Sequence, residues 1–410
     1  MEQQKNRVRA EIKLPLILIH TPFGLAFFDR VAKWRLAKIY ADFNTYLMPA
    51  ITALAIFLII GSLMVLFANS VARETVAQAG PTANLLIPGL NQYLPITYGW
   101  LALVITIIIH EAGHGIVARV YNIRVDSTGI VLFLVIPIGA FVNIERDELN
   151  RATLKQKSAV LTAGPLNNMI LAAASLVALF FVVSTLSPTL SGANAAQFGA
   201  TIFTVSDGSL AQSIGLTPHS VLQSIGGEKI LYSENVTGLL RSHLGQTVEM
   251  TWIDPSGNKV IKDVTLPSAV EPGKPILGVN AAAVDSKAVL ERYKGAFAQN
   301  PLALLLPPTI QPGAVPYSDP MAPNYESSVF GSYIIFAPIA NILFWSWFIN
   351  FNVGIFNALP IGPLDGGQLY GALIEKKAKS KAVAKNANML LTLVMVGIVA
   401  ASLVLPYVPF

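Results

Sequence analysis

From Thr97 to Ile109 the chain carries no charge, and it then sets two imidazoles and a carboxylate side by side in His110-Glu111-Ala112-Gly113-His114. No other stretch restricts the fold so much. The apolar run 97–119 is long enough to span a bilayer, and at that depth a backbone must satisfy its own hydrogen bonds, so a helix is predicted. Ionisable groups inside a span are costly, and they mark a face turned to a cavity or another helix. On a helix, positions 110 and 114 lie one turn apart on one face, with Glu111 beside them. In this spacing two neutral imidazoles can hold zinc while a glutamate accepts a proton from water.

Composition agrees with a membrane protein carrying a smaller soluble part. Of 410 residues 53% are hydrophobic and 12% charged, against about 25% charged in soluble domains. The net charge is +5. The positive residues sit mainly beside the apolar runs, which reads as an orientation signal and not as nucleic-acid binding. With no Cys in the chain, zinc could be held only by His and carboxylate.

Residues 1–46 hold eight Lys/Arg, from Lys5 to Lys38. They are expected to be cytoplasmic, with 14–40 on or dipping into the membrane surface. The apolar 14–28 is expected not to be a signal peptide, because His20, Thr21 and Pro22 interrupt it. Residues 47–67 form a first span, and the Lys/Arg-poor 75–95 is expected outside. The 129–142 run, GIVLFLVIPIGAFV, is too short to span and rich in β-branched residues. It predicts a re-entrant strand pair lying against the bundle. A further span covers about 158–184 and carries Gly164-Pro165-Leu166-Asn167-Asn168 in its first turns.

Strand-like runs and turn signals fill 190–283, among them Gly226-Gly227 and Asp254-Pro255-Ser256-Gly257, so a small soluble domain is predicted there. The proline-rich 284–332 reads as linker. Residues 333–410 return to membrane depth. They include a break at FNALPIGPLDGG (356–367), a Lys-rich loop at 375–385 and a last span at 387–409. The overall expectation is a polytopic α-helical membrane protein of about five spans plus a re-entrant β-hairpin, with the spans before the domain in 47–187.

A catalytic zinc takes three protein ligands and keeps one position open. His110 and His114 supply two. Asp365 is the one acid inside the second charge-free region and completes the set, beside Gly366-Gly367. One zinc ion per chain is expected.

HEAGH, GPLNN and NALPIGPLDGG together resemble the site-2 proteases, the intramembrane zinc metalloproteases. The likeness covers about 97–185 and 333–374. The stretch Ser209 to Gly227 is similar to the PDZ part of that family, although His219-Ser220 replaces its usual Gly-Asp. The resemblance implies zinc on His110, His114 and Asp365, with Glu111 as base and then proton donor. It implies that Asn357 holds or polarises the substrate, and that Asn168 packs or hydrogen-bonds near the site. It also implies an inserted α+β/β PDZ-like domain, extracytoplasmic, and single-span membrane proteins in a lipid bilayer as substrates. A metal transporter or sensor is the alternative, but Glu111 beside the ligands has no use there.

Overall fold

The computed structural model describes residues 8–134, 136–189, 199–218, 220–230, 233–254, 258–270, 275–282, 286–299, 304, 307–309, 315–318 and 321–408. It divides into two compact units, 1–176 with 345–410, and 177–344.

Among the described residues five helices are long and apolar enough to cross a membrane: Met48–Ala68, Ile96–Val120, Leu154–Ser184, Tyr333–Asn357 and Lys381–Tyr407. Large apolar side chains such as Phe57, Phe67, Ile108 and Leu390 stand exposed along them, as side chains facing lipid do. The first unit packs on small residues. Ala41, Val117, Ala118, Ala159, Val160 and Ala163 are buried together with Ile123 and Val125. They let the HEAGH helix (Ile96–Val120) and the GPLNN helix (Leu154–Ser184) approach closely. A Cβ on Gly113 would lie 2.6 Å from the Ala163 carbonyl oxygen, so only glycine fits there.

The first unit also holds a four-stranded antiparallel sheet, β1 (Arg9–Lys13), β2 (Leu16–Thr21), β3 (Val125–Phe133) and β4 (Ile136–Ile144), in that spatial order. The strand pair expected over 129–142 is the β3–β4 hairpin, longer by a few residues at each end. Ile130 faces Ala140 and Val131 faces Gly139 across it. At its open end Arg124 bridges Asp126 (3.0 Å) and Glu145, and the guanidinium holds the Glu145 carboxyl below its ordinary range. The N-terminal segment adds β1 and β2, which sequence reading places at the membrane surface without strands. Its alternation in Leu16–Thr21 is masked by an almost unbroken apolar run, and its register is fixed only by pairing with β3, Leu18 to Val131 and His20 to Gly129. Among the described residues no strand pairs with the outer edge of β4.

In the second unit a six-stranded sheet runs Lys259–Thr265, Thr247–Ile253, Val221–Ile225, Ala200–Val205, Val279–Ala282, with Glu228–Lys229 beside Val221–Ile225. Its core is Ile202, Leu222, Ile225, Met250, Trp252 and Val264. Gly226 and Gly227, at φ 58° and 80°, make the tight turn between two of these strands, a conformation that favours glycine twice over. Positions 255–257 of the second turn signal lie outside the described residues, as does His219. Within 284–332 the stretch Ser286–Gln299 is helical, with Val289, Leu290 and Tyr293 buried. The Tyr293 and Tyr317 hydroxyls meet at 2.6 Å.

Candidate metal centre

The two imidazoles stand on the HEAGH helix one turn apart, as the four-residue spacing dictates, with ring centroids 4.8 Å apart. Their Nε2 atoms are 3.2 Å apart. The third group arrives from 251 residues further along the chain. The helix Tyr333–Asn357 ends, residues 358–364 turn, and Asp365 opens the helix Asp365–Lys377. That turn is folded tightly on the new helix. A Cβ on Gly366 would lie 2.2 Å from the Ala358 carbonyl oxygen, and one on Gly367 2.0 Å from that of Ile361. The glycine pair is therefore a condition of close approach.

Asp365 Oδ2 reaches His110 Nε2 at 3.2 Å and His114 Nε2 at 3.3 Å, with side-chain exposures of 12% for the acid and 10% for each imidazole. Three ligand atoms thus form a triangle with edges of 3.2, 3.2 and 3.3 Å. A tetrahedral ion with bonds of about 2.0–2.1 Å sets neighbouring ligand atoms about 3.3 Å apart. The triangle therefore fits one face of such a site, and two imidazoles with a carboxylate are a donor set for it. These three are the one group of metal-ligating side chains found among the described residues.

The outer nitrogens are held as well. His114 Nδ1 lies 2.7 Å from the Val160 carbonyl oxygen. It must carry the proton to donate there, which leaves Nε2 a lone pair for a metal. His110 Nδ1 lies 3.0 Å from the Asn168 amide nitrogen, and Asn168 Oδ1 is buried without a partner. A metal on His110 Nε2 requires a proton on Nδ1, and then the Asn168 amide presents its oxygen instead. The amide's two orientations are alike in shape, so this costs one flip. The neighbouring Asn167 donates to the Ile109 carbonyl oxygen (3.0 Å) and accepts from the Tyr40 hydroxyl (2.6 Å). The two asparagines have different partners: one meets a ligand, the other the backbone of the helix that carries it.

Glu111 Oε2 accepts the Val142 backbone N–H of β4 at 2.8 Å. The structure brings His110, His114 and Asp365 to one place, and Glu111 follows His110 on the same helix. The Asn357 amide instead donates back to the Val353 carbonyl oxygen at 3.1 Å, at the end of the helix that precedes the turn.

Gly164 is the functional position to which sequence reading gives no role. A Cβ there would lie 2.4 Å from His114 Nε2 and 2.7 Å from His110 Nε2. The missing side chain is the space into which both ligands point. The available signal is a glycine followed by proline at the membrane depth of the histidines, which reads equally well as helix packing. The Val142 amide and the Val160 carbonyl left no signal, since any residue supplies them.

The family model described as peptidase family M50 matches residues 98–401. An uncharacterized protein of Methanocaldococcus jannaschii is 24% identical over 91% of this chain and 82% of its own length. Two clostridial proteins, each bearing the name "Putative zinc metalloprotease", are also similar. That of Clostridium perfringens is 26% identical over 71% of this chain and 90% of its own, and that of Clostridium acetobutylicum 23% over 68% and 86%.

Proposed function

Because this chain belongs to peptidase family M50, and is on that account a membrane metalloprotease, we propose that it cleaves single-span membrane proteins within or beside their spanning helices, as an intramembrane zinc metallopeptidase. The observation that carries the reading is the convergence of His110, His114 and Asp365 beside a glutamate that is not itself a ligand. Zinc, one ion per chain, would supply a Lewis acid that acidifies water and polarises a peptide carbonyl.

The protein residues do the rest. Glu111 takes a proton from the attacking water and returns it to the leaving amine. The Val142 N–H steadies one Glu111 oxygen and leaves the other for the proton. Val160 fixes the His114 tautomer, and Asn168 steadies His110. A helical substrate hides its carbonyls in its own hydrogen bonds, so it must unwind first. The outer edge of β4, with which no strand pairs among the described residues, can take up the unwound segment by main-chain pairing. Asn357, the last residue of the helix before the turn that leads to Asp365, is assigned to substrate contact. The N-terminus is cytoplasmic, and the domain of 190–283 is extracytoplasmic and PDZ-like, admitting substrates already shortened outside. Equal cleavage of full-length substrate after deletion of 190–283 would remove that last assignment.

The test is cleavage of a generic single-span polypeptide by the purified protein, with metal analysis alongside. Wild type cleaves and holds about one zinc. Glu111→Gln holds the zinc and does not cleave. Cleavage retained in Glu111→Gln refutes the proposed base.

A further inference from the structure

An apolar cavity of about 100 Å³ lies between the HEAGH helix and the β3–β4 hairpin. Trp100, Leu103 and Ile107 line it from the helix, Ile130 from β3, and Gly139 and Ala140 from β4. None of these residues takes part in the ligand set. We propose that the cavity is a side-chain subsite, which holds one large aliphatic residue of the substrate while the unwound segment pairs with the edge of β4. The proposal rests on the protease reading and adds to it the residue that the enzyme selects.

Position comes first. Ile107 precedes Glu111 by four residues, about 6 Å along a helix. Ala140 precedes Val142 by two, about 7 Å along a strand. Glu111 and Val142 are themselves hydrogen-bonded at 2.8 Å, so cavity and base lie between the same two elements, one turn apart. A strand advances about 3.4 Å per residue, so a side chain in the cavity belongs within about two residues of the bond that Glu111 can serve.

Size and chemistry narrow the occupant. An apolar cavity of about 150 Å³ admits benzene, so this smaller one suits a leucine, isoleucine or methionine side chain. Ile130 and Ala140 are cross-strand partners whose side chains share one face of the sheet, so the cavity lies on that face, beside the outer edge of β4. Among the described residues no strand pairs with the outer edge of β4, which packs on the HEAGH helix. Main-chain groups at that depth need partners. A lipid tail can fill the cavity but cannot pair with the edge, whereas an extended peptide does both.

The test uses full-length protein in phospholipid vesicles with a set of single-span polypeptides. They differ only in carrying Ala, Leu or Phe at each of the two positions either side of the cleaved bond. For wild type, Leu is expected to exceed Ala by about 10-fold or more at one position, with no such preference at the others. Ala140→Leu grows into the cavity, since Ala140 stands across from Ile130, which also lines it. It is expected to erase the preference, so that Leu and Ala at the selected position are cleaved alike. Trp100→Ala enlarges the cavity and is expected to move the optimum to Phe. If both variants keep the wild-type side-chain profile while cleavage still depends on Glu111, the cavity is a lipid crevice and the subsite is refuted, with the protease reading intact. If wild type cleaves no member of the set, the protease reading falls and the subsite falls with it.

Discussion

Gly164→Ala adds one methyl group to the chain and puts it against two ligand nitrogens. The added carbon would start 2.4 Å from His114 Nε2 and 2.7 Å from His110 Nε2, where ordinary contact is about 3.4 Å or more. Relief requires a shift of about 1 Å at His114. The rings have little room to yield, because His114 Nδ1 is tied to Val160 at 2.7 Å and His110 Nδ1 to Asn168 at 3.0 Å. Metal–ligand distances tolerate about 0.2 Å, so the shift exceeds the tolerance about fivefold. Alanine also improves helix propensity over glycine by about 1 kcal/mol, which offsets part of an overpacking cost of about 1–3 kcal/mol. The apo protein should therefore stay folded while its zinc is lost. The assay is zinc per chain after dialysis against a mild chelator, with thermal unfolding and Glu111-dependent cleavage beside it. Zinc is expected to fall to a small fraction of one per chain, and cleavage by about 100-fold or more, the usual consequence of a 1 Å misplacement. Gly61→Ala and Gly397→Ala are the controls, since a Cβ at either meets nothing within 4 Å, and both should keep their zinc. Full zinc and full cleavage in Gly164→Ala would refute the argument that this glycine is the space of the metal centre.

Four further outcomes follow from the same geometry. Asp365→Asn keeps the shape but loses the charge, and competition with a chelator should show zinc affinity lower by more than about 100-fold, since even outer partners of a ligand are worth 10–100-fold. Asn168→Ala removes such an outer partner and should cost about 10–100-fold in the same measurement, while Asn168→Asp, which still accepts from His110 Nδ1–H, should restore most of it. Removing zinc with a chelator should abolish cleavage and adding it back should recover it, whereas no recovery would show that the ion also holds the fold. Gly366→Ala sets a carbon 2.2 Å from the Ala358 carbonyl oxygen and should destabilise the chain by about 3 kcal/mol, the upper end for overpacking, measured by thermal unfolding.

The reach of sequence reasoning here follows the range of each interaction. His110, Glu111 and His114 were legible because one helix turn fixes their relation, and no tertiary contact is needed to put two imidazoles on one face. Asp365 was legible for an energetic reason: a lone acid in a charge-free membrane region is too costly to lack a counterpart. The β3–β4 hairpin showed in the length and branching of its residues. The N-terminal strands did not, because Leu16–Thr21 is a plain apolar run whose strand character comes from pairing with β3, more than a hundred residues away. The helix Ser286–Gln299 was likewise obscured by the prolines that follow it.

What the chain determined alone is therefore the chemistry, which donors exist and which element carries each. Only the tertiary structure decided their spacing: a triangle of 3.2–3.3 Å edges, the empty side of Gly164, and the backbone amide of Val142 turned to Glu111. A helix sets the order of groups along its own face. The gap between two helices is set by the smallest residues where they touch, and no single segment of sequence contains that distance.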